Sequence, residues 1–195
     1  MWSLPLRSFC ALALLILAAA CEPLFTDRLL AGHAGFIDER LLGFWTADKG
    51  GPIEFRAVDG EYVITGPDRA KKEAYRGVSL RDGVRTFLLI DAPDQPKATP
   101  PLAPGRLFYV MEYNVAPNQV TLRWASESLL RELTEAHALP APASNVCDKP
   151  TTDTSACTPI YDITLSELAN AHSAKIATPF DSNGQSVLTR APAAP

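Results

Sequence analysis

The amino-acid sequence lacks an apolar run of the length that a transmembrane helix needs. Its longest apolar stretch, from Phe9 to Ala20, contains 12 residues. As a helix that stretch would cover about 18 Å, whereas the hydrocarbon core of a bilayer is about 30 Å thick. The stretch is therefore too short to be a typical membrane span, and no later apolar run is longer.

Clusters of basic residues are also scarce. The net charge is −4, and the single adjacent basic pair, Lys71-Lys72, is followed directly by Glu73. A mildly acidic chain of this kind does not attract nucleic acid or anionic lipid through charge. We therefore predict no nucleic-acid partner.

Motifs that carry catalysis or bind nucleotides are missing as well. The chain has no G-x-S-x-G, H-E-x-x-H, P-loop or G-x-G-x-x-G pattern, and its carboxylates are scattered over predicted polar faces. The segment Gly32-His33-Ala34-Gly35 resembles a glycine-rich loop only superficially, because no strand precedes it, and a turn is favoured. The sequence thus predicts no catalytic residue, no cofactor and no enzyme activity.

Two of the three histidines, His137 and His172, fall on the apolar faces of predicted helices. They would form a metal site or an acid–base pair if the two helices packed together. Such histidines more often lie at the edge of a core with one ring nitrogen hydrogen-bonded. No C-x-x-C pair is present and no histidine lies near a later cysteine, so we predict no metal site.

What the sequence does contain is an N-terminal segment typical of a secretory signal peptide. A short first region, Met1 to Arg7, carries one positive side chain, and an unbroken apolar run follows from Phe9 to Leu17. The segment closes with Leu17-Ala18-Ala19-Ala20-Cys21. These features predict a signal peptide over residues 1–20.

The Leu-Ala-Ala-Ala-Cys pentapeptide resembles the lipobox of bacterial lipoprotein precursors, which are cleaved directly before a cysteine that carries lipid. The resemblance implies that Cys21 is the lipid-attachment residue and that a diacylglyceryl group, often with a third acyl chain, anchors the mature chain to a membrane. In enteric-type Gram-negative bacteria, aspartate after this cysteine is associated with retention in the inner membrane. Glu22 at that position therefore favours the outer membrane, on its periplasmic face.

Ordinary secretory cleavage is the alternative, because Ala18-Ala19-Ala20 also fits an A-x-A pattern. The cysteines favour the lipid-anchored interpretation. Cys10 leaves with the signal peptide, and if Cys21 is acylated, Cys147 and Cys157 remain as a pair that can form a disulfide. Without acylation, one thiol stays unpaired in an oxidising compartment. The predicted disulfide closes an otherwise unsupported loop.

The remaining chain is long enough for one domain with its own core. Residues 21–40 are predicted to be lipid anchor and tether, with part of this segment packing on the domain. Residues 41–180 are predicted to form a single β-rich domain with C-terminal helices. Residues 181–195, which are polar and rich in Ala and Pro, are predicted to be a flexible tail apart from a short strand at Val187-Leu188.

Alternating apolar and polar residues predict strands between Leu41 and Trp124. Residues 53–57 alternate, and Asp59-Gly60 then favours a hairpin because both turn positions need positive φ. Thr86 to Ile90 is apolar on both faces, which predicts a central strand. The result is an antiparallel meander of about six to seven strands. Five prolines between Asp91 and Gly105 predict an exposed loop there.

After Trp124 the apolar period becomes helical. The first predicted helix has four residues on its apolar face, namely Leu129, Leu130, Leu133 and His137. The second begins at Thr164, where Glu167 completes a capping box, and it ends before Pro179.

The segment Gly43-Phe44-Trp45 resembles the G-x-W opening of lipocalin-like barrels, in which the tryptophan closes one end of the barrel. The whole layout, from the lipobox through the meander to the helices, is also similar to small lipoproteins of proteobacteria, a resemblance that implies no particular activity. Trp45 and Trp124 are in phase with apolar neighbours, and we predict that both lie in one shared core.

The predicted fold class is therefore α+β: an antiparallel meander, as a curved sheet or partly closed barrel, with two C-terminal helices. A filled interior is indicated by the aromatic residues predicted to point inward, namely Phe55, Tyr62, Phe87, Tyr109, Tyr113 and Trp124. The expected function is that of a non-enzymatic, lipid-anchored envelope protein that contacts the membrane through its lipid and an envelope protein as partner. A lipocalin-like module for a small apolar ligand is the alternative.

Overall fold

The computed structural model describes residues 22–48, 51–66, 74–92, 98–99, 105–147 and 157–191. The predicted signal peptide and Cys21 lie outside the described residues, as do most of the proline-rich loop and the chain between Cys147 and Cys157. No helix in the described ranges is both long and apolar enough to cross a membrane.

The described chain consists mainly of β-strands. In chain order they are β1 (Leu24–Thr26), β2 (Gly43–Ala47), β3 (Pro52–Val58), β4 (Glu61–Thr65), β5 (Ala74–Asp82), β6 (Arg85–Asp91), β7 (Ala98–Thr99), β8 (Leu107–Ala116), β9 (Gln119–Ala125), β10 (Ser144–Val146), β11 (Thr158–Tyr161) and β12 (Phe180–Arg190). Two helices accompany them, α1 (Glu127–Glu135) and α2 (Leu165–Asn170), with short 3-10 turns at Asp27–Leu30 and Glu39–Leu41.

Eight of these strands close into a barrel. Around the ring the order is β2-β3-β4-β5-β6-β8-β9-β12, every neighbouring pair is antiparallel, and β12 pairs with β2 to complete the circle. Closure gives the strands hydrogen-bonding neighbours on both sides. The predicted antiparallel, barrel-like sheet with two helices is confirmed, and the predicted count of six to seven strands is slightly low.

The strand β12 corrects the prediction of a flexible tail over residues 181–195, in which the sequence predicts only a short strand at Val187-Leu188. It lies between β9 and β2 and closes the ring, so the domain continues to Arg190 instead of ending at residue 180. Its sequence is mostly polar because one face is open to solvent, whereas Leu188 points into the barrel and is only 1% exposed. So few inward apolar positions leave only a weak strand pattern in the sequence.

The strand β1 corrects the other boundary, because it lies within the predicted tether of residues 21–40. It pairs antiparallel with β8 and parallel with β11, and the sheet continues from β11 through β10 to β7. Leu24 and Phe25 are 3% and 0% exposed. A three-residue strand is too short to show an alternating pattern, so the domain start predicted from the sequence, at residue 41, is later than the observed start at β1.

Tight turns join successive barrel strands at one end. The β3–β4 hairpin turns at Asp59 and Gly60, whose φ angles are 53° and 82°, as the Asp-Gly pair predicts. The β5–β6 hairpin turns through Gly83, with φ of 58°, and the fully exposed Val84. The β8–β9 turn at residues 117–118 lies at the same end, because successive hairpins of a meander alternate between the two ends. We call this the hairpin end of the barrel.

Alternate strand positions supply two large cores, and a third, smaller cluster lies around β1 and β11. The inner one fills the barrel, and its largest members are Trp45, Phe55, Tyr62, Met111 and Tyr113. The outer one lies between the barrel wall and the helices, and its members include Phe87, Leu89, Phe108, Leu130 and Leu168. The strand β6 serves both cores, as its two apolar faces predict, so Phe87 packs beneath the helices and not inside the barrel.

The capping box predicted for the second helix is present in α2. Thr164 Oγ1 accepts from the Glu167 N–H at 3.1 Å, and Glu167 Oε2 accepts from the Thr164 N–H at 2.7 Å. The helix ends at Asn170, earlier than the sequence indicates. The Ser173 hydroxyl accepts from the backbone of Lys175 and of the residue after it, and this fixes a turn where further helix was expected.

Candidate functional site

One end of the barrel is closed by the segment that precedes β2. Trp45 is fully buried, and its indole Nε1 donates to the Leu41 carbonyl at 2.7 Å. The guanidinium of Arg190, at the end of β12, lies 4.3 Å from the centre of the Trp45 ring. It also donates to the carbonyls of Arg40 at 2.8 Å and Leu42 at 3.3 Å. Arg190 therefore ties the last barrel strand to the first and holds the 3-10 turn over the barrel end.

A buried polar network lies next to this closure. Asp38 is 7% exposed and pairs with Arg40 through two hydrogen bonds of 2.9 and 2.7 Å. The Tyr113 hydroxyl hydrogen-bonds Asp38 Oδ2 at 3.1 Å and Ser79 Oγ at 2.9 Å. The Tyr62 hydroxyl accepts from the Asp38 N–H at 2.6 Å and hydrogen-bonds Ser79 at 2.9 Å. The network thus joins β4, β5 and β8 to the closing segment.

The electrostatics of this network favour a structural role. The hydrogen bonds from Arg40 lower the pKa of Asp38 below its usual value, so the carboxylate is ionised at neutral pH. Burial raises the pKa of Tyr62 and Tyr113, so both hydroxyls stay protonated. General acid–base catalysis works best with groups whose pKa is close to the working pH. Asp38, Tyr62 and Tyr113 therefore keep one protonation state at neutral pH, and they position the segment that closes the barrel end.

Side chains fill the barrel between this network and the opposite end. Five large residues are at most 3% exposed, namely Trp45, Phe55, Leu88, Met111 and Tyr113. Trp124 packs against the same cluster but is partly exposed, with its ring edge-on to Tyr109 at a centroid distance of 6.4 Å. The prediction that Trp45 and Trp124 share one core is confirmed, with Trp124 at the edge of that core.

The two histidines of the predicted helix faces do not lie on helices. His137 follows the end of α1 with φ of 57°, and His172 follows the end of α2, with Nδ1 at 2.6 Å from the Asn170 carbonyl. Both are exposed, since each helix ends before its histidine. Among the described residues, no group of three or more His, Cys, Asp or Glu side chains is arranged to hold a metal ion.

A serine–histidine contact that the sequence did not suggest joins residue 33 to α2. His33 Nε2 lies 3.4 Å from Ser166 Oγ, and Nδ1 lies 3.1 Å from the Arg81 carbonyl. A carbonyl at Nδ1 selects the tautomer in which Nδ1 carries the hydrogen and Nε2 can accept a hydrogen bond. The Ser166 contact is long, however, and nucleophilic triads place a carboxylate where this ring faces a neutral carbonyl. The pair fits a packing contact better than an activated nucleophile.

An arginine of β6 links the second helix, α2, to the barrel wall. Arg85 donates to Glu112 at 2.8 Å, to the Ala169 carbonyl at 2.5 Å and to Thr178 at 3.3 Å. Its guanidinium also lies 5.3 Å from the ring centre of Phe180. Arg85 thus connects the barrel wall with α2, with the segment after α2 and with the start of β12.

The structure confirms the predicted disulfide. Cys147 and Cys157 are bonded, with their Cα atoms 4.5 Å apart. Cys147 directly follows β10 and Cys157 directly precedes β11, and these strands pair antiparallel with Val146 opposite Thr158. The bond therefore links the two ends of the β10–β11 connection.

The predicted lipid-attachment residue, Cys21, lies outside the described residues, directly before Glu22. Burial, together with the nearby carboxylates of Glu127 and Asp181, raises the pKa of Glu22 to about 7. Pro23 is buried, and β1 begins at the next residue. The predicted attachment point is therefore followed at once by structured chain.

Sequence reasoning missed Asp38, Ser79 and Arg190, which organise the closed end. The only signal that bears on Ser79 is its inward position in β5, where a polar residue in an apolar barrel needs a partner. Asp38 and Arg190 lie in segments that the sequence predicts as tether and tail. Comparisons of the chain with protein-family models, with curated proteins and with solved structures found no match.

Proposed function

We propose that this protein is a lipid-anchored, non-enzymatic component of a bacterial cell envelope, held by Cys21 on the periplasmic face of the outer membrane, and that it acts through contacts with another envelope protein. The observation that carries the second part is the filled barrel. Trp45, Tyr62, Met111 and Tyr113 occupy the space where a binding barrel would hold its ligand. Recognition is therefore assigned to the outer surface.

Two observations support the location. The residues Leu17 to Cys21 resemble a lipobox, and acylation of Cys21 would leave an even number of cysteines in the mature chain to pair. The Cys147–Cys157 disulfide is of the kind that persists in oxidising compartments such as the bacterial periplasm. Both observations favour export of the chain.

The anchor is tested by fractionating cells that express the wild type, Cys21→Ser or Cys10→Ser. We expect Cys21→Ser to move the protein from the membrane to the soluble periplasmic fraction, or to leave it as an uncleaved precursor. Cys10→Ser is the matched control, because Cys10 lies within the predicted signal peptide and should not affect the location. Intact-mass measurement of the wild type that finds an unmodified Cys21 would contradict the anchor.

The contact role is tested by site-specific photocrosslinking in the native envelope. A photoreactive residue at the fully exposed Val84 samples the hairpin end, and one at the exposed Ser128 samples the start of α1. We expect a discrete crosslinked protein from a subset of such surface positions. The proposal is wrong if a complete surface set gives no discrete product.

A lipocalin-like binding module is the second candidate, and two observations favour it. The barrel is closed with eight strands, and Trp124 and Tyr109 are only partly buried at the end opposite the Trp45 closure. If a small apolar ligand binds there, saturable changes in tryptophan fluorescence should appear on titration with an apolar probe. These changes should persist in Trp45→Phe and disappear in Trp124→Phe.

A further inference from the structure

The position of β1 restricts how an anchored barrel can sit on a membrane. Only Glu22 and Pro23 separate Cys21 from Leu24, the first residue of β1. Even a fully extended chain spans at most about 3.6 Å per residue, so the Cα of Cys21 lies within about 11 Å of the Cα of Leu24. Any lipid on Cys21 therefore enters the bilayer beside β1.

These two intervening residues provide little freedom of movement. Pro23 is buried and its ring fixes φ, and Glu22 is partly buried. The strand that follows is held on both sides, by β8 and by β11, with Leu24 and Phe25 3% and 0% exposed. The anchor is thus joined to a rigid part of the domain, whereas a flexible linker would let the domain rotate.

The register of the strands shows which end of the barrel this is. Thr26 of β1 pairs with Leu107, the first residue of β8, and β8 then runs for 10 residues before the turn at 117–118. Because β1 runs antiparallel to β8 and Phe25 lies opposite Phe108, Leu24, the β1 residue nearest the anchor, lies about 26 Å from that turn along the strand at about 3.3 Å per residue. The start of α1 is near the anchor instead, because β9 ends beside Met111 of β8, three residues from Phe108, which pairs with β1, and α1 follows β9 directly.

We infer that the end of the barrel formed by β1, the β9–α1 junction and the start of β12 rests against the lipid surface, and that the hairpin end points away from the membrane. The inference rests on the proposed lipid anchor and adds a fixed orientation to it. The partner of this surface is a phospholipid bilayer, because the two residues between Cys21 and Leu24 hold the acyl groups, and with them the bilayer, close to this end.

Charge does not draw this end of the barrel to the membrane. Glu22, Glu127 and Asp181 are acidic, and anionic headgroups repel carboxylates. The raised pKa of Glu22 weakens that repulsion, since a substantial fraction of Glu22 is neutral at pH 7. Attachment should therefore depend on the acyl chains and should not weaken as the salt concentration rises, because salt screens this repulsion.

The test uses the acylated protein in phospholipid vesicles that carry a nitroxide on the lipid headgroup. Single cysteines replace Ser128, at the start of α1, or Asn118, at the hairpin end, and each is labelled with a fluorescent probe. Both native side chains are exposed. With Cys147 and Cys157 in a disulfide and Cys21 acylated, the introduced cysteine is the free thiol of the mature chain.

We expect the nitroxide to quench most of the Ser128→Cys fluorescence and to leave the Asn118→Cys fluorescence unchanged. Inserting ten Gly/Ser residues between Glu22 and Pro23 adds a flexible spacer of about 16 to 19 Å, and the difference between the two probes should then disappear. Equal quenching of both probes without the insertion, or stronger quenching of Asn118→Cys, overturns the fixed orientation while the anchor stands. Failure of the protein to float with vesicles, with an unmodified Cys21, overturns the anchor itself and the orientation with it.

Discussion

Replacement of Trp45 by alanine tests whether the barrel is a filled core or an adapted binding site. Trp45 is fully buried, donates to the Leu41 carbonyl at 2.7 Å and stacks beneath Arg190 at 4.3 Å. Removing a buried aromatic side chain of this size costs about 3 to 5 kcal/mol. That is a large part of the roughly 5 to 15 kcal/mol by which a domain is stable.

The expected change is large enough for ordinary thermal unfolding. In a domain of this size, 1 kcal/mol shifts Tm by about 2 to 4 °C, so Trp45→Ala should lower Tm by about 6 to 20 °C. Denaturant unfolding should show a lower midpoint with little change in slope, because the substitution alters the folded core more than the unfolded chain. A ligand platform would respond differently, since an exposed tryptophan contributes little to stability in the empty protein.

Three comparisons separate the contributions that Trp45 makes. Trp45→Phe keeps most of the apolar ring but leaves the buried Leu41 carbonyl without its donor, which should cost about 1 to 3 kcal/mol. Trp124→Ala should cost less than Trp45→Ala, because Trp124 is only partly buried. A double-mutant cycle of Trp45→Ala with Arg190→Ala should give a coupling of at least about 0.5 kcal/mol.

The outcome that refutes this reasoning is simple. If Trp45→Ala and Trp124→Ala both melt within about a degree of the wild type, the filled-core argument is wrong. In that case the lipocalin-like binding hypothesis replaces the contact role. A coupling of zero between Trp45 and Arg190 would separately show that the closed end is not held by their stacking.

Three further predictions concern other parts of the fold. Arg85→Met should increase hydrogen exchange in α2 while the barrel strands keep their protection, because Arg85 fastens this helix to the wall; equal loss of protection throughout would argue against this. Replacing Cys147 and Cys157 by alanine should lower the free energy of unfolding by about 2 to 4 kcal/mol, and alkylation of the unreduced, denatured wild type should label neither. The pKa of Asp38 is lowered in the folded state, so its contribution to the free energy of unfolding is present above about pH 4 and is lost as the pH falls further. Asp38→Asn should therefore destabilise the protein strongly at neutral pH and much less in acid. An equal loss of stability at both pH values would contradict the ion pair with Arg40.

Features that depend on neighbouring residues could be predicted from the sequence. The Asp59-Gly60 turn follows from two residues that accept positive φ, and the Thr164–Glu167 capping box follows from two side chains one helical turn apart. The alternation in β3 likewise reports its inner and outer faces directly. In each case the stabilising contact lies within the segment that carries the pattern.

Features that depend on distant partners could not be predicted. Arg190 and Trp45 are separated by most of the chain, and the strand that carries Arg190 has a polar sequence that resembles a tail. In the sequence, Asp38 looks like an ordinary polar residue of the predicted tether. Only the folded barrel brings it close to Tyr62, Ser79 and Tyr113. The contacts that close the barrel join residues far apart in the sequence, so no local sequence pattern indicates which residues make them.

The two boundary corrections bear on function as well as on fold. If residues 21–40 were a free tether, a lipid on Cys21 would leave the barrel able to present any surface to a partner. With β1 beginning at Leu24, the same lipid fixes which end is near the membrane. With the proposed anchor, the hairpin end, where Val84 is fully exposed and Val58 is 38% exposed, would face the periplasm. Because the barrel interior is filled by its own side chains, a protein partner would meet this end and the outer wall, so crosslinking should begin there.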